Sequence, residues 1–106
     1  MRGNYYKIKT KEYFEKRGYQ VEYMERYTTI VRKDGKIKRF KRDIFGSDLL
    51  LMNKEEIIFV QVKLNRNHIA EAIRKFSQYK FPPFIKRWIV IWEKYKREPE
   101  IVEIQT

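Results

Sequence analysis

The chain reads as an α/β domain, a mixed β-sheet flanked by helices. Three observations point there. Two segments, residues 5–17 and 68–80, carry apolar residues at helical spacing. Between and after them lie short runs that are wholly apolar or alternate apolar with polar residues, as strands do. The length, 106 residues, supplies a single domain over 1–106 with no room for a second core.

Each element has its own signal. In residues 5–17, Tyr6, Thr10, Tyr13, Phe14 and Arg17 share one face, and Gly18 suits the C-terminal stop. Tyr19, Val21 and Tyr23 alternate with polar residues and predict a half-buried strand over 19–25. Residues 27–32 continue as strand toward Asp34-Gly35, a strong hairpin turn, and 36–41 form the returning arm. Residues 48–52 are a short apolar strand and 57–63 a second, paired across a turn at 53–56 as a central hairpin. Asn67 is placed to cap a helix over 68–80, where Ile69, Ala72, Ile73, Phe76 and Tyr79 make one apolar face and Pro82-Pro83 ends it. Residues 87–92 are a buried strand with Trp88 and Trp92 on one core face, and 101–104 a short last one. The order is α-β-β-β-(β)-α-β-β.

Composition excludes several function classes. There is no Cys, which removes disulfides, thiolate catalysis and Cys-bound zinc. The single histidine, His68, removes chemistry built on a His pair. The four glycines fit neither a P-loop nor a dinucleotide fingerprint. The longest apolar run, 88–92, is far too short to span a bilayer, so no membrane partner and a cytoplasmic, intracellular location are expected. The Lys- and Glu-rich, Ile- and Tyr-rich composition hints at a thermophile.

The net charge is +11, and an excess of this size points to a polyanion, with DNA the expected partner. Residues 1–42 carry 14 basic and 5 acidic residues, against 11 and 9 in the remainder. The densest run is Arg32, Lys33, Lys36, Lys38, Arg39, Lys41 and Arg42, around the hairpin turn. It reads either as a solvated basic hairpin or as a ribbon that grips phosphates without reading sequence. Arg66, His68, Arg74 and Lys75, at and along the second helix, offer further phosphate contacts or a solvated face.

Three polar residues interrupt the central hairpin. Gln61 and Lys63 share a strand face, because side chains alternate with period two. Asp48 opens the neighbouring strand and falls laterally beside them. One carboxylate, one amide oxygen and one ammonium in this arrangement suit metal-assisted phosphodiester hydrolysis. Asp48, Gln61 and the Val62 main-chain carbonyl would hold Mg²⁺ or Mn²⁺, and Lys63 would orient water or stabilise transition-state charge. The same set can equally be a structural ion pair with Gln61 bonded beside it. Asp43, at the edge of the basic run, is either an extra ligand or the partner of a neighbouring Arg or Lys.

The stretch Arg42-Asp43-Ile44-Phe45-Gly46-Ser47-Asp48-Leu49-Leu50-Leu51-Met52, followed by Ile58-Phe59-Val60-Gln61-Val62-Lys63, resembles the PD-(D/E)XK nuclease superfamily. In that pattern an Asp opens a hydrophobic strand, a hairpin follows, and Glu or Gln, any residue, and Lys end the next strand. The lead-in and the Asn67-His68 helix start resemble small phage and archaeal members. The resemblance implies a restriction-endonuclease-like α-β-β-β-α-β core over about residues 5–92. It also implies a metal-dependent endonuclease, with Asp48, Gln61 and Lys63 as the catalytic set. Ser47 stands where many members have Pro, and Gln61 where Glu is commoner, which removes one charge from the metal site. Many members add a Glu from the first helix, for which Glu12 and Glu15 are candidates here, though Glu12 lies off the Tyr6–Tyr13–Phe14 face and either reads equally as a surface charge.

The expectation is therefore a small Mg²⁺-dependent DNA endonuclease that recognises branched or four-way-junction DNA by shape, as a Holliday junction resolvase does in recombination and repair. Cutting two strands calls for a homodimer. The alternative is a non-catalytic nucleic-acid-binding module on the same fold.

Overall fold

The computed structural model describes residues 2–94 and 96–104. Helix α1 spans Arg2–Glu15 and is followed by strands β1 (Gln20–Tyr23), β2 (Glu25–Val31), β3 (Ile37–Asp43), β4 (Leu49–Met52) and β5 (Ile57–Leu64). A short 3₁₀ turn at Arg66–His68 leads into α2 (Ile69–Ser77), then β6 (Ile85–Trp92) and β7 (Glu100–Glu103). Five strands form one mixed sheet in the order β1-β4-β5-β6-β7, and β2 and β3 form a separate ribbon. All pairings are antiparallel except β5 with β6, whose parallel register requires the α2 crossover between them. The protein is thus mixed α/β, as expected.

Alternation along the central strands places a core on each face of the sheet. Ile58, Val60 and Val62 of β5 join Val90 and Trp92 of β6, Leu49, Leu51 and Val21 under α1, whose Phe14 is buried among them. Ile89 and Ile91 point the other way, against Ala72 and Phe76 of α2. Each such side chain contributes about 1.5–3 kcal/mol when fully buried. Trp92 meets its polar need by donating from Nε1 to Thr10 Oγ1 at 2.7 Å, and that hydroxyl donates to the Tyr6 carbonyl at 2.6 Å. The expected α1 face of Tyr6, Thr10, Tyr13 and Phe14 therefore packs inward, whereas Arg17 lies beyond the helix with its guanidinium over the Tyr13 ring.

Several local expectations are corrected. The 19–25 segment is broken at Met24, whose amide bonds the Asp48 carbonyl, so Glu25 belongs to the ribbon and Tyr23 is exposed. Asn65, not Asn67, caps the turn before α2, because its Oδ1 accepts from Asn67 N. Helix α2 ends at Ser77 rather than 80. There the amides of Gln78 and Tyr79 turn back to carbonyls three residues earlier, and Arg87 takes the Phe76 carbonyl at 3.0 Å. Among the described residues no helix is long and apolar enough to cross a membrane.

The ribbon leaves the body of the molecule. The radius of gyration is 15.1 Å, against about 13 Å for a compact chain of this length. Its turn is the expected one: Gly35 adopts φ +82, which glycine tolerates, and Asp34 Oδ1 accepts from Lys36 N.

Candidate metal centre and nucleic-acid interface

The ribbon, the central hairpin and both helices meet at Asp48. The Asp48 amide donates to the Val60 carbonyl at 2.8 Å, although the register pairs Val60 with Leu49. The ladder is therefore out of step by one residue where β4 begins, as in a β-bulge, and such irregularities re-aim side chains. Asp48 Oδ2 accepts from Val62 N at 2.8 Å, and Oδ1 lies 3.5 Å from Lys7 Nζ. The Val62 carbonyl leaves the extended strand on the same edge as its amide, past the start of β4.

Two more carboxylates come from the base of the ribbon. Glu25 and Asp43 are register partners, the first residue of β2 and the last of β3. One carboxylate oxygen from each of Glu25, Asp43 and Asp48 lies within 4.8 Å of the others. Two lysines balance them: Lys7 of α1 pairs with Glu25 as well as Asp48, and Lys75 of α2 pairs with Asp43 at 2.7 Å. Burial raises the Asp48 carboxyl above its ordinary value. The Val62 amide and Lys7 pull it back, while Asp43 and Glu25 push further up. The bond to Asp43 raises the Lys75 ammonium.

Gln61 is 1% exposed and donates from Nε2 to the Gly46 carbonyl. Its Oε1 is buried without a hydrogen-bond partner. Gly46 itself has φ +72, and a Cβ there would stand 3.4 Å from the Lys75 carbonyl oxygen, so the 44–47 loop is seated directly on α2. Asp48 and Gln61 are thus tied through this loop and the β5 backbone, each on its own partner.

The remaining sequence-derived residues divide. Lys63 is half-buried, and the ammonium set against Asp48 is Lys7 instead. Asp43 is both the partner of a neighbouring lysine and a member of the acidic group. Glu12 is exposed and lines a groove with Tyr13, Trp92 and Arg97, and it is not one of the three carboxylates of the acidic group. Glu15 pairs with Lys11 at 2.9 Å. Arg32, Lys33, Lys36, Lys38 and Arg39 are exposed along the ribbon; the side chains of Lys41 and Arg42 lie outside the described ones. Arg66 is paired with Glu100 at 2.8 Å, His68 is 4.0 Å from Glu71, Arg74 is exposed, and Lys75 is engaged with Asp43.

Lys7 and Glu25 are what sequence reasoning missed. Glu25 had a signal: the hairpin closes symmetrically about Asp34, so counting nine residues back and nine forward pairs Glu25 with Asp43. Lys7 had none, since it is one of several lysines on a helix whose angle to the sheet is set only by packing.

No family model matches the chain, and no curated protein does. The fold is similar to that in the crystal structure of SSO0001, with a TM-score of 0.53 and 17% identity over 97% of this chain and 50% of that one. At that identity the likeness is one of fold. The chain spans about half the length of that protein.

Proposed function

We propose that the chain is a metal-dependent DNA endonuclease with a restriction-endonuclease-like core of PD-(D/E)XK type. One observation carries the reading: three carboxylates, half-buried or buried, converge where the central hairpin opens, beside a buried amide whose oxygen has no partner. The donors are all hard oxygens, which suits Mg²⁺ or Mn²⁺ and not a soft metal. Asp48, Glu25 and Asp43 would hold the ion, with Gln61 Oε1 and the Val62 carbonyl as neutral donors. When bound, such an ion polarises a phosphoryl oxygen and acidifies water. The chain's own residues do the rest. Val62 N and Lys7 orient Asp48 and oppose the burial that favours its neutral form. Lys63, on β5, would stabilise charge on the attacked phosphate. The exposed lysines and arginines of the ribbon hold the backbone of DNA on either side.

The exposed lysines and arginines of the ribbon suit phosphate contacts that do not read bases, which favours recognition of DNA shape, such as a branch or four-way junction, by a homodimer. Incubating junction, flap and plain duplex DNA with Mg²⁺ or Mn²⁺ tests it. Wild type should cut a branched substrate, and Asp48→Ala and Lys63→Ala should bind it without cutting. DNA binding with no cleavage by wild type under any of these conditions would leave a non-catalytic binding module instead.

A further inference from the structure

Beside Phe45 of the 44–47 loop lies an aromatic groove of about 310 Å³ that the nuclease chemistry does not use. Phe45, Phe59, Tyr79 and Phe81 form its walls, with Lys80 among its lining residues. The rings meet at an angle: Phe45 with Tyr79 at 5.7 Å and 82°, and Phe59 with Phe81 at 5.0 Å and 70°. Phe45 is 53% exposed and adopts φ +51, a left-handed conformation that a bulky residue rarely takes. Strain of this kind persists where surrounding structure enforces it, and it gathers at binding sites. Here the enforcing structure is that of the metal centre. The next residue, Gly46, is held by Gln61 and seated on Lys75, and Phe59 precedes Gln61 by two residues on the same strand face. The groove and the acidic group are therefore connected through the segment from Phe45 to Asp48 and through β5.

We propose that this groove receives an unstacked nucleobase, flanking the phosphate presented to the acidic group; the inference rests on the nuclease reading above. Exposed aromatic faces beside lysines are the chemistry of base stacking next to a phosphate backbone. The charge supports this occupant over an apolar peptide: Lys80 lines the groove and the chain carries +11, so a nucleic acid strand is attracted. Accommodation of one splayed-out base also gives a physical basis for preferring branched over continuous duplex DNA, since only unpaired positions release a base cheaply.

The test uses the full chain and a duplex carrying one unpaired 2-aminopurine nucleotide, compared with the fully paired duplex and with an abasic site at the unpaired position. Wild type should bind the unpaired substrate roughly tenfold tighter than the other two, with quenching of the 2-aminopurine fluorescence. Phe45→Gly, which relieves the backbone strain and so should fold, should reduce that preference to about twofold or less while leaving affinity for the paired duplex unchanged. Tyr79→Ala should act in the same direction. Equal binding of the three substrates by wild type, or an unaltered preference in Phe45→Gly, would overturn the groove proposal with the nuclease reading intact. Failure of wild type to bind any of the DNAs would overturn both. A wild-type dimer that Phe45→Gly converts to monomer would assign the groove to a second copy and overturn it likewise.

Discussion

Replacing Asp48 with Asn should stabilise the metal-free protein while removing its function. Asp48 is 7% exposed, and its carboxylate shares a space with those of Glu25 and Asp43, with oxygens within 4.8 Å. At an effective dielectric of about 20, each such pair repels by about 3–4 kcal/mol. Lys7, at 3.5 Å, attracts Asp48 by about 5 kcal/mol on the same scale. Two repulsions and the burial cost outweigh the attraction of Lys7 and Lys75 and the Val62 amide bond, in keeping with the upward shift of the Asp48 carboxyl. Asn keeps the shape and an oxygen for Val62 N. Neutralisation should therefore raise stability, and each kcal/mol gained raises the midpoint of a domain this size by roughly 4–8 °C. Mg²⁺ at a hundred times its dissociation constant should stabilise wild type by about 2.7 kcal/mol and leave Asp48→Asn unmoved. Thermal unfolding followed by circular dichroism, in EDTA and in Mg²⁺, reads both effects. A variant less stable than wild type in EDTA, or an equal response of the two proteins to Mg²⁺, would refute the reasoning.

Four further outcomes follow from the same geometry. Lys7→Met should destabilise the metal-free protein by about 2–4 kcal/mol, because it leaves the Glu25 and Asp48 carboxylates without that cation, and Mg²⁺ should restore part of the loss in urea unfolding. Because the folded state raises the Asp48 carboxyl above its ordinary 3.8, its contribution to stability is full below that pH and is lost as pH rises through the folded value. Metal-free wild type should thus lose stability toward neutrality by an increment that Asp48→Asn lacks, measured as midpoint against pH. Neutralising Lys38, Arg39 and Lys41 together should weaken DNA binding across all sequences and reduce the slope of log affinity against log salt by up to about 3, an effect read by fluorescence anisotropy. Thr10→Val strands the buried Trp92 N–H and should cost about 1–3 kcal/mol in unfolding free energy.

Local patterning made much of the fold legible. The alternation through 57–63 sorts β5 onto two core faces, and the Asp34-Gly35 pair fixes the ribbon turn. Legibility failed where packing or long-range bonds decide. Nothing local tells that the strand beginning near residue 19 breaks at Met24, since the break is made by a bond to the Asp48 carbonyl, 24 residues on. The end of α2 is set in part by Arg87, from a strand ten residues beyond Ser77. At the site, Asp48 and Gln61 stand out in sequence because polar residues in apolar strands need a reason. Glu25 and Lys7 sit among many exposed charges, and only the register of the ribbon and the placement of α1 select them. The lysine expected at Asp48 was Lys63, from the strand; the helix supplies Lys7 in its place.

Nuclease activity of this kind requires a divalent cation held between the base of the ribbon and the mouth of the hairpin. Calorimetric titration of Mn²⁺ into the full chain tests it most directly, with Glu25→Gln and Asp48→Asn beside wild type. Wild type should show a saturable site, at least tenfold weaker in Glu25→Gln and absent in Asp48→Asn. Undetectable binding by wild type, or identical isotherms for all three proteins, would contradict it.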